Sequence, residues 1–187
     1  MFRNKKDWEV YCEKTFNNLN ANVKNWGMCS NWNRALTRDF YLGVFDSGNP
    51  NKTGLISEDA LYNHVTGKKS QNTYDHCLSP QFVARMILDN PDTYLSDYEL
   101  FKTIFFECCK TIIVTKEENR NLSLLTENNQ GTVSVQVPTH LKYKHLNINL
   151  YRSVNGKWND CVEVDNIIQV PDSITEYEKD FITYDAN

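Results

Sequence analysis

Trp8, Tyr11, Cys12, Phe16, Leu19, Val23 and Trp26 recur at three- and four-residue steps, which predicts a long amphipathic helix ending near Gly27. Lys and Glu share its other positions, so a packing helix with a solvated face is the plain reading. A second helical piece is expected from about Arg34 to Phe45, and Asp46-Ser47-Gly48-Asn49-Pro50-Asn51 is a loop by composition. Ser57 is placed to cap a short helix through Leu61 and Tyr62 that stops at Gly67. The polar stretch Lys68-Lys69-Ser70-Gln71-Asn72 then leads into Thr73-Tyr74-Asp75-His76, a short extended segment.

Ser79-Pro80 reads as an N-cap followed by proline at the first helical position. The helix it starts carries Phe82, Val83, Met86 and Ile87 on one face, and Asn90-Pro91 ends it. Ser96 to Glu99 has capping-box spacing and opens a helix with Leu100, Phe101, Ile104, Phe105 and Cys108. Thr111-Ile112-Ile113-Val114 is a β-branched run and predicts a strand. Thr115-Lys116-Glu117-Glu118 is a second capping box, which makes Asn119 the fourth residue of a helix that turns Leu122 and Leu125 inward. Asn128 to Gly131 reads as a turn, and Thr132 to Val137 alternates like a strand until Pro138. Segments around Ile148 to Arg152 and Trp158 to Val164, joined by Ser153-Val154-Asn155-Gly156, are expected to pair as a hairpin. The end from Pro171 onward reads as irregular or loosely docked.

Composition adds bounds. A chain of 187 residues that is 40% hydrophobic can bury one core. The expectation is a single domain over residues 1–187, with an N-terminal helical part (1–67), a middle part (68–127) and a C-terminal β and irregular part (128–187). No apolar run approaches the roughly 18 to 20 residues of a membrane span, and the N-terminus lacks the apolar stretch of a signal peptide. A cytoplasmic protein without a membrane partner is therefore expected. Cys12, Cys29, Cys77, Cys108, Cys109 and Cys161 are scattered with no C-x-x-C pair, so neither a structural zinc nor a disulfide framework is expected. The formal charge is −4, but residues 159–187 alone carry eight acids and one base, a charge of −7, which leaves +3 for residues 1–158. A mildly basic body with an acidic tail permits a nucleic-acid partner without requiring one.

The residues with chemical reach are Asp75, His76 and Asn119. Hydrolysis of a phosphodiester needs a deprotonated water, charge stabilisation on the phosphate and help for the leaving oxygen. A neutral histidine can take the water's proton near neutral pH. A hard divalent cation held by a carboxylate and an amide oxygen can clamp the phosphate. Because neighbours on a strand face opposite ways, Asp75 and His76 can divide this work only if their segment twists or bends. His76 is equally readable as a hydrogen-bonding structural residue, and Asn119 as a surface one. His64 on its short helix reads as packed or exposed. His140 and His145, among Lys142, Tyr143 and Lys144, read as a solvated loop or a phosphate-facing patch.

With the helices from Pro80 to Lys110 set aside, the order is strand with Asp75-His76, strand, then helix with Asn119. Over residues 73–125 the chain resembles the HNH, or ββα-metal, nucleases, most of all the phage-encoded HNH homing-type endonucleases. The elements read along the chain give an α+β fold, mostly helical, with a small C-terminal β region, and the resemblance implies a ββα-metal-like core (strand, helical insertion, strand, helix). It implies Asp75 and Asn119 as metal ligands, His76 as general base, and one divalent cation, Mg²⁺ or Mn²⁺. The implied activity is double-stranded DNA cleavage, in the host cytoplasm if the chain is phage-encoded. Lys68, Lys69, Arg85, Lys116 and Arg120 flank the segment and are candidate phosphate contacts. The 44 positions from Asp75 to Asn119 exceed the family's compact spacing, and the family's middle asparagine has no clear match beyond Asn90. The alternative function is a non-catalytic phage or host protein that binds a partner through its acidic tail. A nuclease with Asp92, Glu99 and Lys102 as its acid and lysine set ranks last, because these sit too close together inside a capped helix.

Overall fold

The computed structural model describes residues 5–26, 30–42, 52–129 and 132–183. The loop expected at 46–51, and the ends expected at Gly27 and Phe45, lie outside those residues. In chain order the helices are α1 (Lys5–Trp26), α2 (Ser30–Leu42), α3 (Glu58–Val65), α4 (Pro80–Asp89), α5 (Pro91–Tyr94), α6 (Tyr98–Cys108), α7 (Lys116–Ser123), α8 (Lys142–His145) and α9 (Asp172–Glu178). The strands are β1 (Lys52–Ser57), β2 (Asn72–His76), β3 (Thr111–Thr115), β4 (Thr126–Asn129), β5 (Thr132–Val135), β6 (Leu150–Ser153) and β7 (Cys161–Val164). The chain is α+β and divides into two compact units, one from residues 1–51 with 78–110, the other from 52–77 with 111–187. Among the described residues no helix is long and apolar enough to cross a membrane.

The first unit is helical. The stripe read along α1 is its buried face, with Trp8, Cys12, Phe16, Leu19 and Val23 all enclosed. Trp8 packs on Phe105 of α6 at 5.3 Å between ring centroids, and Phe16 on Phe101 at 5.4 Å. Phe40 of α2 meets Phe105 at 5.1 Å. Ser79 caps α4 by accepting the Phe82 N–H, and Pro80 follows at the first helical position. The cap of α6 differs from the expectation: Asp97, not Ser96, accepts the N–H groups of Glu99 and Leu100, while the Ser96 hydroxyl donates to the Thr93 carbonyl. A carboxylate one residue nearer the helix is the stronger acceptor for those two donors.

The second unit is built on a five-stranded mixed sheet in the order β2-β3-β1-β6-β7. Only β1 and β3 run parallel; the other neighbours are antiparallel. β1 was not expected, because Lys52-Thr53-Gly54 offers no alternation and Gly54 sits at φ +72°. β2 and β3 pair over five residues although the helices α4 to α6 separate them in sequence. β6 and β7 form the expected hairpin, with Gly156 at φ +70° in its connection. Of the turn expected at Asn128 to Gly131, Asn128 and Asn129 form the end of β4, which pairs with β5, and residues 130–131 lie outside the described residues. Thr126-Glu127-Asn128-Asn129 has little strand propensity, so its pairing partner decides its conformation. The segment from Pro171 to Thr183 is docked rather than loose. Ile174 and Glu178 of α9 are buried, and the Thr183 N–H donates to the Val135 carbonyl at 2.9 Å.

Candidate functional site

Two strand-to-helix junctions lie side by side in the second unit. β1 runs into α3 through Ser57, and β3 runs into α7 through Thr115. Each hydroxyl accepts the N–H three residues on, from Ala60 and Glu118 respectively. Glu118 completes the box, its Oε2 accepting the Thr115 N–H at 2.7 Å, and the same oxygen accepts the Ser57 hydroxyl at 2.7 Å. One carboxylate thus ties both junctions together. Asn119 follows it as the fourth residue of α7, half-buried.

Asp75 lies opposite Ile112 in the β2–β3 ladder, and Thr73 opposite Val114. Residues directly opposite in a ladder share a face. Ile112 and Val114 belong to the unit's apolar core together with Leu122 of α7 and Tyr143 of α8. Asp75 therefore points into the layer that α7 and α8 also enter. Asn119 is one turn before Leu122 and neighbours it on the helix surface. The expected carboxylate is thus on β2 and the expected amide on α7, which packs against β2 and β3.

The immediate partners of Asp75, however, come from α8. Its Oδ2 accepts the Lys142 ammonium at 2.7 Å and the Tyr143 hydroxyl. Lys142 Nζ also donates to the His76 carbonyl at 2.5 Å and stands 5.0 Å from the centroid of the Tyr143 ring. The two side chains are nearly enclosed, Asp75 at 13% and Lys142 at 11% exposure, and Tyr143 is fully buried. Burial first, and then the Asp75 carboxylate, hold the Tyr143 hydroxyl protonated far above the usual tyrosine range, so it remains a donor. The sequence reading of this stretch, a solvated loop or a phosphate-facing patch, does not anticipate the burial of Lys142 and Tyr143. No local pattern marks a lysine whose counter-ion is 67 residues earlier.

His76 occupies the last pair of the ladder, opposite Thr111, and is 8% exposed. The five pairs run without a bulge, so the Asp75 and His76 side chains leave on opposite faces. Lys68, Lys69, Lys116 and Arg120 are exposed on this unit. Arg85 belongs to the other unit, where it pairs with Asp89 at 3.1 Å along α4. His64 stacks edge-on to Trp158 at 6.1 Å, and its pKa is lowered by burial and by Lys69.

A carboxylate and an amide are hard-cation donors by type, and the Asp75 carboxylate is already occupied by the Lys142 ammonium. Among the described residues no group of three His, Cys, Asp or Glu side chains is placed to hold a metal, so the amide would have to contribute. A cavity of about 320 Å³ opens where α3 and α7 begin, lined by Asp59, Tyr62, Asn63, Lys116 and Glu117 among others. It adjoins Thr115, whose partner Asn72 is at the opposite end of β2 from His76. No protein-family model, no curated protein and no solved structure matches the chain.

Proposed function

We propose that the second unit is a phosphodiester hydrolase acting on DNA, with His76 as general base and Asp75 and Asn119 as ligands of one divalent cation. The observation that carries this reading is the pairing of β2 with β3 and the immediate start of α7. Strand, strand and capped helix are contiguous in space although the strands are separated in sequence. When bound, a Mg²⁺ or Mn²⁺ ion supplies charge neutralisation on the phosphate and on the departing oxygen. Asp75 offers a carboxylate oxygen for it and Asn119 its amide oxygen. His76 is the proposed base, and because its side chain leaves β2 on the face opposite Asp75, the water's proton reaches it only if the strand end bends. Exposed Lys68, Lys69, Lys116 and Arg120 supply positive charge for backbone phosphates.

A second reading has its own observation. Asp75 is neutralised by Lys142 and Tyr143, and His76 is enclosed, which is what a structural ion pair at a strand end looks like. The protein is then a non-catalytic binding module. Supercoiled-plasmid nicking separates the two. The hydrolase reading expects nicking by the wild type with Mg²⁺ or Mn²⁺, and loss of at least about a hundredfold in His76→Ala, the usual contribution of a general base. Equal rates for both proteins overturn His76 as the base, and no nicking by the wild type in either metal leaves the binding module standing.

A further inference from the structure

We propose that the cleft between the starts of α3 and α7 binds an uncharged nucleoside, with the base stacked on Tyr62 and the ribose diol held by Asp59 and Glu117. Asp75, His76 and Asn119 do not line it, so its ligand does not depend on the hydrolase reading. Topology makes the opening. β1 and β3 are parallel neighbours, and both end here, where Ser57 and Thr115 cap the helices that follow. Those helices go to opposite faces of the sheet. Leu122 of α7 joins Ile112 and Val114 in the core, on the face of Asp75. Asn72, three residues before Asp75 in an unbroken ladder, leaves β2 on the other face. There its amide donates to the Ala60 carbonyl at 2.8 Å and accepts from Asn63 of α3 at 3.2 Å. Adjacent parallel strands whose following helices diverge leave a crevice outside their carboxyl ends, a general location for ligands in open sheets. The cavity of about 320 Å³ is that crevice. It lies at the small end of the roughly 300 to 1,000 Å³ of small-molecule sites.

The lining selects the ligand. Both helix starts are already answered, by their hydroxyl caps and by Glu58-Asp59 and Glu117-Glu118 in their first turns. A phosphate gains little from such ends and meets two carboxylates of the cleft with only Lys116 to offset them. Exposed carboxylates accept hydrogen bonds and donate none, so they call for a ligand rich in hydroxyl or N–H groups. Asp59, Tyr62 and Asn63 follow at i, i+3 and i+4 on one side of α3, and Glu117 faces them from α7. Tyr62 is 63% exposed, which leaves its ring open to a flat partner. Gln71 offers an amide donor and acceptor to a base edge. A vicinal diol supplies the two donors that the carboxylates lack.

Amide proton–nitrogen correlation spectra of the full-length chain test this. The four common nucleosides are titrated, and the best binder is compared with its dideoxy analogue, its monophosphate and free ribose. Saturable shifts are expected at the starts of α3 and α7. The dideoxy analogue, which lacks the diol, should bind about tenfold or more weakly, the scale of a lost hydrogen bond to a charged group. Tyr62→Ala should weaken nucleoside binding by about fivefold or more, the least that loss of a stacked base brings. The monophosphate should bind no tighter than the nucleoside, and free ribose more weakly. Circular dichroism confirms the fold of Tyr62→Ala, and the ligand series decides the matter without it. No saturable shift with any nucleoside, or shifts away from these helix starts, overturns the site. Equal binding of the dideoxy analogue, tighter binding of the monophosphate, or ribose binding as well as the nucleoside overturns the ligand class.

Discussion

Glu118 is the residue through which the two strand-to-helix junctions can be tested. Glu118→Ala removes the acceptor for the Thr115 N–H and for the Ser57 hydroxyl, both at 2.7 Å. Loss of a capping interaction costs about 1 kcal/mol. Stranding the hydroxyl of Ser57, which has no exposed surface, adds about 1 to 2 kcal/mol. The sum is about 2 to 3 kcal/mol, or about 5 to 10 °C in melting temperature for a chain of this size. Ser57→Ala alone also deletes the cap of α3, so the single variants do not isolate the bridge. A double-mutant cycle does, because the cap of α3 cancels within it. The expected coupling between Glu118 and Ser57 is about 1 kcal/mol, read from urea unfolding and from amide exchange in β1 and β3. Glu118→Gln keeps an acceptor and should lose about half of the alanine effect. Glu118→Ala within about 0.5 kcal/mol of wild type, or a coupling below about 0.3 kcal/mol, refutes the view that one carboxylate ties the junctions.

The buried pair gives a second expectation. Lys142→Met and Asp75→Leu should each destabilise by about 3 to 5 kcal/mol, because each leaves one uncompensated charge. The double variant should be more stable than either single one, and urea midpoints that simply add refute the pairing. Glu178 yields a pH dependence. Burial raises its pKa above the ordinary glutamate value, against the opposing pull of Thr139 and Lys142. A raised folded-state pKa favours the protonated fold, so its contribution is present below the unfolded value and falls away as pH rises through the folded one. Glu178→Gln should remove that decline in urea midpoints measured upward from about pH 4.5, and an unchanged slope excludes Glu178 as its source.

What could be read in the sequence was set by contacts within one turn or one strand. The cap at Thr115 is a four-residue pattern whose donors and acceptors all lie within it, and it fixed the position of Asn119. The α1 stripe needed only a period, and its five core residues followed. Failures came where a partner far along the chain decides. β4 is a strand because β5 lies beside it, and α9 is ordered because Glu178 finds Thr139 some forty residues earlier. Lys142 belongs with these. Its sequence neighbours, Leu141 and Tyr143, give no sign of a counter-ion, and only the fold brings Asp75 to it. Reading along the chain also could not show that residues 1–51 and 78–110 assemble together, since aromatic pairs such as Trp8–Phe105 span almost a hundred positions.

The long interval between Asp75 and Asn119 is weaker evidence than it looked. His76 and Thr111 are paired, so the chain between them leaves and re-enters the second unit at adjacent points. Closing a loop of about 34 residues rather than about four costs only about 2 kcal/mol more in a flexible chain, because the entropy grows with the logarithm of length. The five-residue ladder and the core contacts of Ile112 and Val114 can offset that amount. Sequence spacing therefore does not decide whether a strand-strand-helix site can exist here. The Asp75 carboxylate bears on it more directly, since the Lys142 ammonium and the Tyr143 hydroxyl already hold it.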